Sequence, residues 1–372
     1  MKIYTITCHD VYNCGASLQA YALQQYLTQL GHDVKIIDYK PPYLQHYQFG
    51  KVGNHVYDKP LIKQLYLLAK LPGYIHSLKR KKIFDKFRSE YLKITEETYS
   101  NIEELRNNLP CADAYFAGSD QIWNTLFPNG KDEAFYLSFV PKSSIRASYA
   151  ASFATEDIDI DYRSFVKQQL QNLDYISVRE KSALKVLESL NLYGTLVLDP
   201  VFLLAEQDWH EIAKQSKINL RKPYILLYSF DSSIKTQALI QEISRKHGGI
   251  QIINIGPGNS KIGKHLFNAT GPKEFLNLIL NAEFILSDSF HATAFAIIFK
   301  KRFCVLNRKE KINTRMQSLL QLSELSVRMV EVFSPALLDE IDYGVVNTRI
   351  NYYKYQSYDY IAKVLNGCSV EK

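Results

Sequence analysis

The sequence predicts an α/β protein of two Rossmann-like domains, each a parallel sheet flanked by helices, facing each other across a cleft. Three observations carry this. Short apolar runs of strand length alternate with segments of helical period through both halves of the chain, the pattern of βαβ units with right-handed crossovers. At 372 residues the chain exceeds the size at which one core stops growing, so two domains are the default. Polar elbows rich in Gly, Ser, Asp and Asn follow several strand runs, at the sheet edge where such folds bind ligands.

The elements follow in order. Lys2–Thr7 is a strand, Cys8–Gly15 a polar turn, and Ala16–Leu30 a helix carrying Leu18, Ala22, Tyr26 and Leu30 on one face, closed by Gly31. Val34–Asp38 completes a βαβ opening. It lacks the glycine fingerprint of a dinucleotide site, but Asn13 and Gly15 in its turn are candidates to line a ligand cleft. Residues 41–110 form a Tyr-rich, then basic, insertion. Within it, Ser77–Lys93 has seven Lys/Arg against two acids, with Ile83, Phe84, Phe87 and Tyr91 on the opposite helical face. Such a helix suits either an anionic membrane surface or ordinary packing on its own domain.

Ala114–Ala117 is a strand that leads into the elbow Gly118-Ser119-Asp120-Gln121-Ile122-Trp123-Asn124. Ile145–Ala154 is a small-residue strand. Tyr175–Val178 delivers Arg179, a candidate bidentate clamp for carboxylate or phosphate unless it pairs with a nearby acid. Leu196–Leu198 leads into Asp199-Pro200. The polar segment Gln215–Pro223 divides the chain, so that residues 1–214 form a first domain, 215–350 a second, and 351–372 a C-terminal helix and tail packing back on the first.

The second half repeats the alternation around Glu283–Phe303. Phe284-Ile285-Leu286 is a buried strand and Ser287-Asp288-Ser289 a run of helix-capping residues. His291 opens a small-residue helix whose first-turn N–H groups can hold an anion. Its chemistry would be acid–base work near neutrality, with Asp288 to orient it; the bland alternative is a capping or packing histidine. Asn313–Leu322 starts another helix with Arg315 near its beginning.

Composition narrows the function classes. A hydrophobic content of 46% with 22% charged residues is ordinary for a globular protein. No apolar run reaches the ~18 residues of a membrane span, and the N-terminus reads as a first strand. Five cysteines at irregular spacings give no zinc or disulfide pattern, which fits a reducing cytoplasm. The net charge of +7 suits small anionic substrates or a membrane surface better than a dedicated nucleic-acid partner. The 26 Tyr and 19 Phe include rings on which sugars stack, although aromatics more often fill cores.

Several of these elbows resemble one family. Asn13-Cys-Gly-Ala-Ser-Leu-Gln-Ala-Tyr-Ala-Leu23, Gly118-Ser-Asp-Gln-Ile-Trp-Asn124, Ile176-Ser-Val-Arg-Glu180, Leu198-Asp-Pro200 and Ser287-Asp-Ser-Phe-His-Ala292, in that order, are similar to the polysaccharide pyruvyl transferases. The resemblance implies a fold like that of GT-B glycosyltransferases. It implies transfer of a pyruvyl group from phosphoenolpyruvate, as co-substrate, to two hydroxyls of a sugar or lipid-linked oligosaccharide, closing a ketal. The first domain is then the acceptor side and the second the donor side. His291 matches the family's central histidine and Arg179 an arginine associated with the donor. Characterised relatives carry Arg where this chain has Ser289, so Arg315 and Lys264 are candidates for the missing positive charge. Ser119 and Asp120 are candidate substrate contacts, and no metal or further cofactor is expected. The setting is the cytoplasm or the inner face of the membrane. Two alternatives stay open: a nucleotide-sugar glycosyltransferase with Glu274 on the ribose, and a non-catalytic glycan-binding member.

Overall fold

The computed structural model describes residues 1–44, 77–231, 233–257, 262–307 and 313–367. Much of the anticipated insertion (45–76), Gly258 and the last five residues lie outside the described residues.

The first sheet is parallel, in the order β3-β2-β1-β4-β5. Its strands are β1 (Lys2–Ile6), β2 (Asp33–Tyr39), β3 (Ile94–Tyr99), β4 (Ala114–Ala117) and β5 (Ile145–Ser148). Two short strands, β6 (Ser177–Val178) and β7 (Thr195–Leu196), extend it through single bridges from Ala147 and Ala151. Helix α1 (Cys14–Gln29) crosses from β1 to β2, and a helix whose described part is residues 77–91 (α2) precedes β3. Helices α3 (Ile102–Asn107), α4 (Ile160–Leu170) and α5 (Lys181–Ser189) complete this half.

The second sheet is also parallel, in the order β10-β9-β8-β11-β12-β13. After α6 (Glu206–Lys214) come β8 (Tyr224–Tyr228), α7 (Ile234–Lys246), β9 (Gln251–Asn254) and β10 (Lys264–His265). Then follow α8 (Pro272–Asn281), β11 (Phe284–Ser287), α9 (Phe290–Ile298), β12 (Phe303–Leu306), α10 (Thr314–Leu322) and β13 (Met329–Val330). The central strands Tyr224–Tyr228 and Phe284–Ser287 are buried at every position, which is why they read as continuous apolar runs and not as alternating ones.

In each sheet the chain winds outward one way and then the other. The reversal falls between β1 and β4 in the first sheet and between β8 and β11 in the second. One apolar cluster runs from Leu18 of α1 and Phe87 of α2, through Trp209 of α6, into Phe275 of α8 and Phe295 of α9. The two halves therefore share a core.

Helix α11 (Tyr343–Asn366) begins earlier than the sequence suggested and returns to the first half, as expected of the C-terminal segment. There Tyr360, Ile361 and Val364 join Ile3, Leu23 and Phe116 in one cluster. Ser357 Oγ accepts from Leu198 N–H at 2.9 Å, and Tyr360 donates to Ser148 C=O at 2.7 Å.

The basic helix α2 does not present its apolar face outward. Phe84 and Phe87 are buried, and Phe87 and Tyr91 stack on each other and pack against Tyr21 of α1. Arg80 donates to the carbonyls of Tyr12, Phe267 and Thr270, tying α2 to the second half. Insertion of this face into a membrane is thereby ruled out in the folded chain, and only the lysine-rich face is left outside. No described helix is long and apolar enough to cross a membrane.

Candidate active site

Residues that leave the carboxyl ends of strands in both sheets converge at the two reversal points, where open α/β sheets place their ligands. From the second sheet, β11 ends at Ser287 and α9 begins with Ser289 as N-cap, whose side chain makes no cap bond. His291 sits in the first turn of α9 and is 6% exposed. From the first sheet, β7 leads to Asp199, which is 1% exposed. Asp199 Oδ2 lies 3.6 Å from His291 Nε2, so an imidazole of one half faces a carboxylate of the other.

The other face of the imidazole meets α1. A Cβ added to Gly15 would lie 2.0 Å from His291 Nδ1. Gly15 is thus a contact residue, and its missing side chain is what lets the histidine in. Asn13 caps the same helix, its Oδ1 accepting from Gly15 and Ala16 N–H at 2.9 and 3.2 Å. Through Gly15 the polar turn of the opening βαβ unit reaches His291.

Arg179 follows β6 and is 3% exposed. Its Nη1 pairs with Asp199 Oδ2 at 2.5 Å and its Nη2 with Asp120 Oδ1 at 2.9 Å. The guanidinium also lies 4.4 Å from the centre of the Phe290 ring. The sequence left open whether Arg179 clamps an anion or pairs with an acid. In this arrangement two carboxylates occupy its fork, so it acts on the site through Asp199. Burial pushes the Asp199 carboxyl up, but the charges of His291 and then Arg179 outweigh it and hold the group well below the usual carboxylate range. Asp120 is likewise lowered, burial being overcome by Arg179, His291 and Arg315.

The elbow after β4 braces this group. Ser119 Oγ donates to Ala150 C=O at 2.7 Å and lies 3.4 Å from Asp199 Oδ2. Ser119 N–H donates to Gln19 Oε1 at 2.9 Å. Gly118 adopts φ +129, and a Cβ there would meet Tyr149 C=O at 2.2 Å, so the elbow needs glycine. Trp123 instead turns into the core, stacked on Tyr136. Arg315, at the start of α10, reaches to 4.0 Å from Asp120.

Three further expectations meet different neighbours. Asp288 accepts from Ser229 Oγ at 2.8 Å and from Phe230 and Asp231 N–H, stitching the β8 and β11 loops together. The carboxylate opposite His291 Nε2 is Asp199. Lys264 lies exposed on β10, at the outer edge of the second sheet. Three strand spacings separate it from β11, about 14 Å, so it does not supply the charge that Ser289 lacks. Glu274 Oε2 accepts from Gly271 N–H at 3.1 Å as a helix cap, a structural use of the residue on which the nucleotide alternative rests.

Asp199, Gln19 and Phe290 all lie within the motifs quoted from the sequence, but sequence reasoning assigned none of them a role. A glutamine at the centre of the apolar face of α1, fully buried, was a legible signal, because buried amides need partners. A second buried pair was also missed: His9 Nε2, in the turn after β1, lies 2.9 Å from Asp38 Oδ1, near the end of β2.

The sequence matches the family model of the polysaccharide pyruvyl transferases over residues 13–310. The chain belongs to the polysaccharide pyruvyl transferase family. All the residues of the His291–Asp199–Arg179 group lie within that match. No curated protein matches the chain. Among solved structures, this pyruvyl transferase family member resembles a Listeria monocytogenes protein described as a UDP-N-acetylglucosamine 2-epimerase. The identity is 11% and the TM-score 0.54, covering 100% of this chain and 97% of that one. It also resembles S. aureus MnaA in complex with UDP, at 14% identity and TM-score 0.51, covering 100% and 98%. The UDP-GlcNAc 2-epimerase of Neisseria meningitidis, bound to UDP-GlcNAc, gives 12% and 0.50, covering 98% and 100%. At such identities the likeness speaks for the fold, which is GT-B.

Proposed function

We propose that this family member moves a pyruvyl unit from phosphoenolpyruvate to two hydroxyls of a sugar in a surface or exopolysaccharide, or in its lipid-linked precursor, and closes a cyclic ketal. The observation that carries the reading is the 3.6 Å approach of His291 to Asp199 across the two domains. A histidine backed by a buried, ionised carboxylate is an acid–base device. With Nε2 turned to Asp199, Nδ1 beside Gly15 is the nitrogen left to exchange a proton with substrate.

The chemistry then follows from the residues. The donor's anionic groups sit at the N-terminus of α9, where first-turn N–H groups lack intrahelical acceptors and the helix dipole favours negative charge. Ser289 lines this end, and Arg315 adds charge from the adjoining helix. His291 gives a proton to the methylene carbon of the enol while an acceptor hydroxyl bonds to the neighbouring carbon and loses its own proton. Phosphate departs with the C–O bonding pair, and the second hydroxyl adds to the same carbon, its proton leaving on the phosphate while the proton of the first hydroxyl restores His291. Ketal and inorganic phosphate are the products, and no further cofactor enters. Asp199 holds the imidazole and balances its charge, and Arg179 and Ser119 hold Asp199.

A lipid-linked acceptor would place the reaction at the inner face of the membrane, reached through the basic face of α2. The test is phosphate release from phosphoenolpyruvate in the presence of sugar acceptors, with a new ketal methyl signal by proton NMR. His291→Ala should lower the rate by about 10²–10⁴-fold. Failure of the purified protein either to bind phosphoenolpyruvate or to release phosphate with any acceptor would overturn the reading.

A further inference from the structure

A cavity of about 240 Å³ opens behind the His291–Asp199 pair where the chain passes between the two halves. Three elements wall it. The crossover out of the first sheet gives Phe202 and Glu206, the end of α9 and the residues just after it give Ile297 and Lys300, and α11 gives Asn351 and Lys354. Both members of the catalytic pair stand at the far ends of these walls. Asp199 caps the short turn Pro200–Phe202, accepting from Val201 N–H at 3.2 Å, and His291 opens the helix whose last turn lines the cavity.

The charges here do not balance. Lys300 Nζ is matched by Glu206 at 2.6 Å. Lys354 is partly buried, and among the described residues no carboxylate lies within ion-pair distance of it; its recorded neighbour is the Tyr358 ring, 5.9 Å away. Burial lowers its basicity accordingly. An ammonium drawn out of water without a counter-charge is costly unless something anionic shares the site. The remaining wall is apolar, with side-chain amides of α11 as donors. The volume lies below that of drug-sized ligand pockets, ~300 Å³ and above.

We propose that this cavity is a binding site for a small soluble oxyanion, a carboxylate or phosphate with at most a short apolar body, held by Lys354 and the amides beside it. The site is separate from the donor site and does not depend on the proposed transfer reaction.

The experiment is thermal unfolding of the full chain at pH 7 in chloride, inorganic phosphate or isobutyrate at equal ionic strength. At about 100 times its dissociation constant, either anion should raise Tm by about 3 °C over chloride. The anion that does so tells phosphate from carboxylate. Lys354→Met keeps the stem and removes the uncompensated charge, so its Tm in chloride should be equal or higher and the anion shift should be lost. Asn351→Leu, an exposed position on the same helix face, should reduce the shift as well. No shift with either anion, or a full shift retained by Lys354→Met, would overturn the proposal.

Discussion

At Gly15 the absence of a side chain makes room for the His291 ring. A methyl group there would lie 2.0 Å from His291 Nδ1, and the ring, held by the first turn of α9, must rotate or withdraw. Misplacing a catalytic group by about 1 Å can lower a rate by ~10²-fold. Gly15→Ala should therefore reduce turnover by about that factor while far-ultraviolet circular dichroism stays unchanged, since alanine is well tolerated inside a helix. A variant with full activity would place the working nitrogen elsewhere. Asp199→Asn tests the partner. It keeps the shape but removes the charge opposite Arg179 Nη1 and His291 Nε2. Breaking one partner of a buried ion pair costs about 3 kcal/mol, to be read from urea unfolding. Activity should fall with it, because the imidazole loses the group that orients it.

Among the elements, α9 and α11 both reach from the second half to the first. Helix α9 carries His291 into the first domain's edge, and α11 returns the chain to that domain. The bond from Leu198 N–H to Ser357 Oγ, at 2.9 Å, sits one residue before Asp199. Removing it with Ser357→Ala leaves a buried N–H unsatisfied, worth about 1–3 kcal/mol. The loss should appear as a lower urea midpoint and, because Leu198 and Asp199 are adjacent, as a reduced rate. An unchanged rate would mean that Asp199 is held from Ser119 and Arg179 alone. Helix α2 belongs at this scale too. Its apolar stripe was legible, but the stripe alone cannot say whether a membrane or a protein core covers it. Tyr21 of α1 and the neighbouring core settle that.

For the whole molecule, the buried carboxylates set the response to acid. Asp199, Asp120 and Asp38 are all held below their ordinary range. For such groups the stabilising contribution is fully present above the unfolded value, ~3.9 for Asp, and is lost as pH falls toward the folded values. Stability should thus be flat through neutrality in this respect and fall steeply below about pH 4, and the fall should be shallower in Asp199→Asn. Equal slopes in the two proteins would show that Asp199 is not among the groups that titrate with unfolding.

Alternation of apolar runs and helical periods was enough to give two parallel sheets, because burial on both faces leaves a strand no polar positions to alternate. The elbows after β4, β6, β7 and β11 were visible for a related reason: glycine and short polar side chains mark places where the backbone turns at a sheet edge. Which of those elbows touch was not visible. Asp288 is adjacent to His291 in the chain, yet Asp199, ninety-two positions away, faces its Nε2. Arg179 read equally as an anion clamp or as the partner of an acid, and only Asp120 and Asp199, at 2.9 and 2.5 Å, decide for the pair. Local pattern is fixed by the solvent preference of each side chain and so is written along the chain. The pairing of charges is fixed by distance across a shared core, and only the packed molecule sets that distance.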